Sequence, residues 1–163
     1  MEKRIYLEKF TPGDFDKYYK LVGNEEVMAM ITKRAIPMNE ATDNFSMLLS
    51  NNELHESFGY FKIIESVTNN FIGLAKLKIK EKASKEAELG YALLPNYWGM
   101  GIGSEVAKLL VGKAKEEGNL NSIMALIDPN NIASRKILIN NGLVSEKICE
   151  MDGLPTEKLS MKI

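Results

Sequence analysis

Residues 95–105 read Pro95-Asn96-Tyr97-Trp98-Gly99-Met100-Gly101-Ile102-Gly103-Ser104-Glu105. The alternating glycines of this stretch lie between a strand-like apolar run that ends at Leu94 and a helix-like run that begins near Ser104. Glycine leaves the main chain uncovered and tolerates positive φ, so successive backbone N–H groups can converge on one point. A helix that begins there adds free amides and the positive end of its dipole. The stretch therefore predicts an anion-binding turn that suits a phosphate, with a ligand-free tight turn as the alternative.

The segments around this glycine loop predict a mixed α/β domain. Hydrophobic periodicity, caps and turn residues predict strands at 4–9, 58–65, 71–79, 87–94, 123–127, 144–151 and 156–162, and helices at 11–22, 39–49, 104–117 and 132–140. Residues 24–37 favour no single element. The order is β-α-α-β-β-β-α-β-α-β-β, and no linker or repeat divides it, so we expect one domain over residues 1–163.

The connections predict the topology of the sheet. The strand–helix–strand unit over residues 88–127 should pair in parallel through a right-handed crossover, whereas the remaining strands are joined as hairpins. We therefore expect an α/β (α+β) fold with a mixed, mostly antiparallel sheet of six to seven strands and helices on both faces.

Composition excludes several classes of function. The formal net charge is −1 and no polybasic run exists, so a nucleic-acid partner is not expected. No apolar run approaches the roughly 20 residues of a membrane span, and the first residues lack the apolar core of a signal peptide. Cys149 is the only cysteine and His55 the only histidine, so we expect no disulfide and no zinc or other metal site. These features predict a cytoplasmic protein.

Three motifs in order resemble the GNAT superfamily of acyl-CoA N-acyltransferases. Residues 98–103 (Trp-Gly-Met-Gly-Ile-Gly) are similar to the family's pyrophosphate loop, with Trp98 where a Gln or Arg is usual. Residues 88–95 (Glu-Leu-Gly-Tyr-Ala-Leu-Leu-Pro) resemble the strand that leads into that loop, and Asn131-x-x-Ser134 resembles the start of the family's last long helix. Within the superfamily the chain looks most like the group that includes the ribosomal-protein N-terminal acetyltransferases.

The resemblance implies that acetyl-CoA is the co-substrate and a primary amine is the acceptor, in the form of a protein N-terminus or a small molecule. Transfer would be direct, in a ternary complex. The implied CoA contacts are the pyrophosphate-binding amides of Met100, Gly101, Ile102, Gly103 and Ser104, the Asn131 side chain, and backbone groups of Leu93 and Leu94. We expect those last groups to be freed by a β-bulge near Leu93 and Leu94.

Glu88 is the candidate general base, acting directly or through a water, because an alkylamine must lose a proton before it attacks. A solvated strand carboxylate is the alternative. Ser134 is the candidate group near the thiolate, because Leu138 stands where the family often has a tyrosine acid. Helix capping is the alternative for Ser134 and for Asn131. Tyr91 and Tyr97 can also serve as acids, but their type favours aromatic packing.

Two questions stay open at this level. Leu138 leaves room for a different function, a non-catalytic CoA-binding regulatory module. The acceptor is not specified either: methionines crowd the N-terminal helices, and core filling is the default explanation for them. A homodimer fits the resemblance, but no residue pattern requires one.

Overall fold

One seven-stranded sheet organises the molecule in the computed structural model, which describes residues 3–163. Met1 and Glu2, the beginning of the N-terminal stretch and of the expected domain, lie outside the described residues. The strands are β1 (Ile5–Lys9), β2 (Gly59–Glu65), β3 (Phe71–Lys78), β4 (Glu86–Leu93), β5 (Ser122–Ile127), β6 (Val144–Met151) and β7 (Leu154–Lys162). Their spatial order is β1-β2-β3-β4-β5-β7-β6. Only β4 and β5 pair in parallel, which confirms the mixed, mostly antiparallel sheet.

The helices are α1 (Phe15–Val22), α2 (Glu25–Met28), α3 (Met38–Asn52), α4 (Ile102–Glu117) and α5 (Ile132–Asn140). Short 3₁₀ turns precede α1 (Pro12–Asp14) and follow β4 (Pro95–Tyr97). The ambiguous residues 24–37 contain the additional helix α2, because the Asn24 side chain accepts a hydrogen bond from Val27 N–H (3.1 Å) and caps it. Because of α2, the observed order has one helix more than expected. The helix predicted at 39–49 runs from Met38 to Asn52.

The helices cover both faces of the sheet, as predicted, and each face has its own apolar core. On one face Val106 and Leu110 of α4 and Leu138 of α5 join the inward residues of the central strands, such as Leu89 and Ile123. The opposite core is built by α1, α2 and α3, where the rings of Phe10, Tyr18 and Phe45 pack edge-on or tilted. The sheet thus separates an α4–α5 side from an α1–α3 side.

Turn chemistry accounts for the ends of two elements. Gly118 adopts φ 71° and ends α4, as its position predicted. Asp152 (φ 52°) and Gly153 (φ 78°) form the tight β6–β7 turn, and both positive φ values suit a two-residue hairpin loop. That compact turn lets β7 begin at Leu154, two residues earlier than expected.

A gap opens between β4 and β5 in the middle of the sheet. The strands pair only where Glu86, Ala87 and Glu88 face Ser122, Ile123 and Met124, although β4 continues to Leu93 and β5 to Ile127. The predicted bulge near Leu93 and Leu94 is wrong, because the β3–β4 register runs without a shift from Lys78↔Glu88 to Gly73↔Leu93. The opening comes from divergence of the parallel strands rather than from an extra residue in β4.

Within the described part of the chain, no helix is both long enough and apolar enough to cross a membrane.

Candidate active site

The glycine loop presents main-chain amides at the N-terminus of α4. Gly99 (φ 73°) and Gly101 (φ 79°) both adopt left-handed conformations, and Gly101 directly precedes the helix. The first helical hydrogen bond runs from Glu105 N–H to Gly101 C=O (3.2 Å), so the N–H groups of the preceding residues have no helical acceptor. The helix therefore begins at Ile102 rather than Ser104, and the amides of residues 100–104 form an amide nest that suits an anion.

The glycines of this nest differ in their surroundings. Nothing lies within 4 Å of a Cβ built on Gly99, so the space above it is open. Gly103 is buried, and its Cβ would lie 3.2 Å from Tyr91 Cε2 and 3.3 Å from Ile137 Cδ1. Gly103 thus allows the first turn of α4 to pack closely on β4 and α5, while Gly99 and Gly101 shape the exposed turn.

Arg4 and Trp98 hold the nest in place from outside it. Arg4 donates to Met100 C=O (3.0 Å) and to the Glu105 carboxylate (2.9 Å from Nε). Trp98 Nε1 donates to Leu93 C=O (2.8 Å), which ties the beginning of the loop to the end of β4. Arg4 also offsets the negative charge of Glu105, which lies in the first turn of α4. Lys108, one turn further along the helix, is exposed.

The gap between β4 and β5 exposes backbone groups of alternate β4 residues. Leu94 N–H donates to Ile72 C=O (2.8 Å), and Leu94 C=O accepts from Tyr97 N–H (3.0 Å). Hydrogen-bonding directions alternate along an antiparallel strand, so Tyr91 and Leu93 direct their N–H groups toward the gap. The structure therefore places Leu93 at the gap, whereas both backbone groups of Leu94 are already bonded within the protein.

A cavity of ≈ 680 Å³ passes through the gap and reaches both faces of the sheet. On the α4–α5 side Asn131, Ser134 and Leu138 line it together with Tyr91 of β4. Asn131 caps α5, because its Oδ1 accepts from Ser134 N–H (3.2 Å), and the capping role expected for it is present. Ser134 Oγ accepts a hydrogen bond from the Tyr91 hydroxyl (3.4 Å).

Tyr91 supplies a phenol to the side of the cavity that Leu138 also lines. Leu138 is buried in the core and has no proton to give. Burial raises the pKa of the Tyr91 hydroxyl above its ordinary value of 10.0, although the hydrogen bond with Ser134 acts in the opposite direction. The phenol is therefore protonated at neutral pH and can donate a proton to a nearby anion.

Glu88 lies on the α1–α3 face of β4 next to two lysines of β3. Its Oε2 lies 2.5 Å from Lys76 Nζ, and its Oε1 lies 4.0 Å from Lys78 Nζ. Lys76 reaches Glu88 by crossing Gly90, where an added Cβ would lie 2.6 Å from Lys76 Cε. Lys76 and Lys78 line the cavity, and Glu88 lies directly behind them rather than in its lining. Glu86, two residues earlier, accepts from Ser122 Oγ (2.9 Å).

The wall of the cavity on the α1–α3 side, here called the acceptor wall, is largely apolar. Its members from α2, the α2–α3 connection, α3 and β3 include Met28, Met30, Ile31, Met47, Leu48 and Leu74, with Lys33, Lys76 and Lys78 among them. Lys33 lies 3.8 Å from Asp128 at the end of β5, so this pair connects the two sides of the cavity. Within residues 3–163 no group of His, Cys, Asp and Glu is arranged to hold a metal ion.

The opening of the parallel strand pair, the amide nest at the start of α4 and the cavity through the sheet are together typical of a coenzyme A-dependent acyltransferase. The family model for the acetyltransferase (GNAT) domain matches residues 4–144, and the chain belongs to this family. The chain is 32% identical over 137 residues to the uncharacterized N-acetyltransferase p20 of Bacillus licheniformis, covering 83% of this chain and 76% of p20.

Solved structures share the whole fold at low identity. The ribosomal L7/L12 alpha-N-protein acetyltransferase RimL, in complex with CoA, has a TM-score of 0.81 and 16% identity over 99% of this chain and 96% of its own. Spermidine N-acetyltransferase from Vibrio cholerae, with CoA and spermine, has a TM-score of 0.80 and 16% identity, covering 98% and 95%. The prediction of a GNAT N-acetyltransferase fold and enzyme class is confirmed.

Two contributors to this site, Arg4 and Lys76, have no local signal in the sequence. Arg4 precedes Glu105 by 101 residues, and no local pattern connects them. Lys76 is found only through the β3–β4 register, which places it opposite Gly90. Tyr91, expected as a possible acid or as a packing residue, meets Ser134 through its hydroxyl because α5 folds back over the gap. The Arg135 side chain bonds the buried Glu157 carboxylate (3.1 Å).

Proposed function

We propose that this protein transfers the acetyl group of acetyl-CoA directly to a primary amine, in a ternary complex in which the thioester lies in the β4–β5 gap. The observation that carries this proposal is the contact between the amide nest and the cavity: Gly103 of the nest packs against Tyr91, which lines the cavity beside Ser134. This contact brings a diphosphate site next to a reaction site on the α4–α5 side of the sheet.

We assign the CoA contacts to groups that can still form hydrogen bonds with a ligand. The amides of Met100, Gly101, Ile102, Gly103 and Ser104 bind the diphosphate, since they have no helical acceptor. Leu93 N–H binds the pantetheine arm or polarises the thioester carbonyl, because it faces the gap. The Asn131 amide contacts the arm while its Oδ1 caps α5. Leu94, whose backbone groups are already bonded, contributes packing instead.

The reaction requires a base on one side of the gap and an acid on the other. The neutral amine attacks the thioester carbonyl carbon, a C–N bond forms, and the C–S bond breaks with the electron pair leaving on sulfur. Glu88 accepts the proton lost by the amine, directly or through a water, and the adjacent Lys76 and Lys78 keep that carboxylate in an ion pair. Ser134, the expected group near the thiolate, donates its hydroxyl proton to the sulfur and receives a proton from the Tyr91 hydroxyl, which is hydrogen-bonded to Ser134 Oγ.

Calorimetry with two donors tests the CoA part of the proposal. We expect acetyl-CoA to bind and S-acetylpantetheine, which lacks the diphosphate, to bind much more weakly. A ligand that binds only the native state also raises its stability, by about 2.7 kcal/mol at a concentration of 100 times Kd. Equal affinity for the two donors would contradict the assignment of the amide nest.

Thiol release with a panel of amines tests turnover. We expect CoA to be released only when an amine and acetyl-CoA are both present, and in equal amounts to the acetylated amine. Release of thiol without an acetylated product would contradict direct transfer to an amine. A homodimer in a reducing, cytoplasmic environment stays a prediction, and light scattering tests the oligomeric state.

A further inference from the structure

The acceptor wall offers an apolar surface for the body of the amine. Methionine, leucine and isoleucine side chains form a large part of it, and some of them are open to solvent: Met47 is 71% exposed and Ile31 46%. Exposed side chains of this type bind aliphatic groups well, because methionine adapts its shape and burial removes apolar area from water.

The charges in this wall are unsuited to a polycation. The ionic side chains that the α1–α3 side contributes are all lysines: Lys33, Lys76 and Lys78. The carboxylates nearby are already paired, since Glu88 bonds Lys76 (2.5 Å) and Asp128 lies near Lys33 (3.8 Å) while accepting from Asn130 N–H (2.8 Å). Asp152, at the exposed tip of the β6–β7 turn, is the remaining acid in the described lining.

The positive charge of Lys78 is only partly neutralised by the neighbouring groups. Its Nζ lies 4.0 Å from Glu88 Oε1, which is beyond hydrogen-bond distance, and 5.8 Å from the centre of the Tyr60 ring. Because Lys76 already occupies the other oxygen of Glu88, the three groups together have one positive charge in excess. An anionic group on the ligand can therefore form a charge-assisted hydrogen bond with Lys78.

The geometry points to an acceptor that is a small apolar primary amine with one anionic group, such as a hydrophobic amino acid, and not a polyamine. The amine nitrogen is connected to Glu88 through a water, the anionic group binds Lys78, and the aliphatic part lies on the methionines of the acceptor wall. The inference rests on the proposed acetyltransferase function, and it names the substrate class for that same cavity.

A matched pair of amines tests the role of the anionic group. Norleucine and norleucinol share one carbon skeleton and one primary amine, and differ in carrying a carboxylate or a hydroxyl. We expect kcat/KM for norleucine to exceed that for norleucinol by about tenfold or more, as a charge-assisted hydrogen bond implies. The diamine 1,6-diaminohexane and spermidine should both be poorer acceptors than norleucine.

Variants of Lys78 connect this preference to the structure. In Lys78→Met the norleucine-to-norleucinol ratio should fall to about one, whereas Lys78→Arg should retain most of it because the positive charge remains. Lys82→Met, at an exposed lysine of the β3–β4 connection, is the control and should keep the wild-type ratio. A ratio that survives Lys78→Met overturns the inference.

The outcomes separate this inference from the proposed function. Turnover with spermidine or the diamine that equals or exceeds turnover with norleucine overturns the substrate class and leaves the acetyltransferase intact. If no amine in the panel releases CoA although acetyl-CoA binds, the proposed function fails, and the substrate class fails with it.

Discussion

The amide nest lies on the α4–α5 side of the sheet and the acceptor wall on the α1–α3 side, and the two are built in different ways. The nest uses main-chain N–H groups from consecutive residues, 100–104, shaped by glycines with positive φ. The acceptor wall uses side chains from α2, the α2–α3 connection, α3 and β3, brought together from distant parts of the chain. A main-chain site depends on local conformation, so it tolerates changes of side chain that would remodel a side-chain site. This difference between a main-chain site and a side-chain site is compatible with proteins of one fold that bind the same CoA but act on different amines.

Loss of the proposed base should have the largest effect on turnover and little effect on the nest. Glu88→Gln removes the proton acceptor, so kcat should fall by about 10²-fold or more, while the affinity for acetyl-CoA stays nearly unchanged. Steady-state kinetics and calorimetry measure the two quantities. Glu86→Gln, two residues earlier on the same strand, is the matched control, and turnover by Glu88→Gln that is unaltered across the pH range ends this assignment.

A change in the nest should instead weaken the binding of acetyl-CoA and have little effect on the amine side of the reaction. In Gly101→Ala a side chain must adopt φ 79°, which costs about 1–2 kcal/mol and shifts the amides. The Kd for acetyl-CoA should rise by roughly tenfold, with a small effect on the KM of the amine. Gly112→Ala, in the interior of α4 with open space at its Cβ, should instead stabilise the helix slightly. Equal binding by both variants would exclude the nest as the diphosphate site.

Removal of the Tyr91 hydroxyl should lower kcat by about tenfold without changing the Kd for acetyl-CoA. The pH dependence of the rate shows which protonation state of Tyr91 is active. Tyr91 acts when protonated, and burial raises the pKa of its hydroxyl above 10.0, so the wild-type rate should not decline through Tyr91 ionisation until the pH exceeds that value. Tyr91→Phe should remove that alkaline decline, whereas the control Tyr97→Phe should keep it. Wild-type kcat in Tyr91→Phe would exclude Tyr91 as the acid.

The smallest effect is expected from a change at Arg4, which contacts the nest from outside. Arg4 is 53% exposed, so its ion pair with Glu105 is screened by water and salt. Arg4→Gln should raise the KM for acetyl-CoA a few-fold at low ionic strength, and the difference should shrink as salt is added. An effect on the amine KM alone would show that Arg4 does not support the nest.

Much of this molecule was predictable from local patterns. The hairpin over β2 and β3, the helix caps at Asn131 and Gly118, and the glycine loop before α4 all depend on residues close in sequence. The start of α4 was placed two residues late, because Gly101 in a left-handed conformation ends the loop earlier than the polar Ser104 suggested. The bulge near Leu93 was wrong because no pattern within β4 reports how far β5 diverges from it.

Local sequence alone specifies the nest, since φ preferences of glycine and the unpaired amides of a helix start are properties of neighbouring residues. The partners of Glu88, the meeting of Tyr91 with Ser134 and the composition of the acceptor wall arise only on folding. Strand register places Lys76 and Lys78 beside Glu88, and the return of α5 over the gap brings Ser134 to Tyr91. Such contacts depend on where whole elements pack, because side chains far apart in the chain meet only through the sheet that carries them.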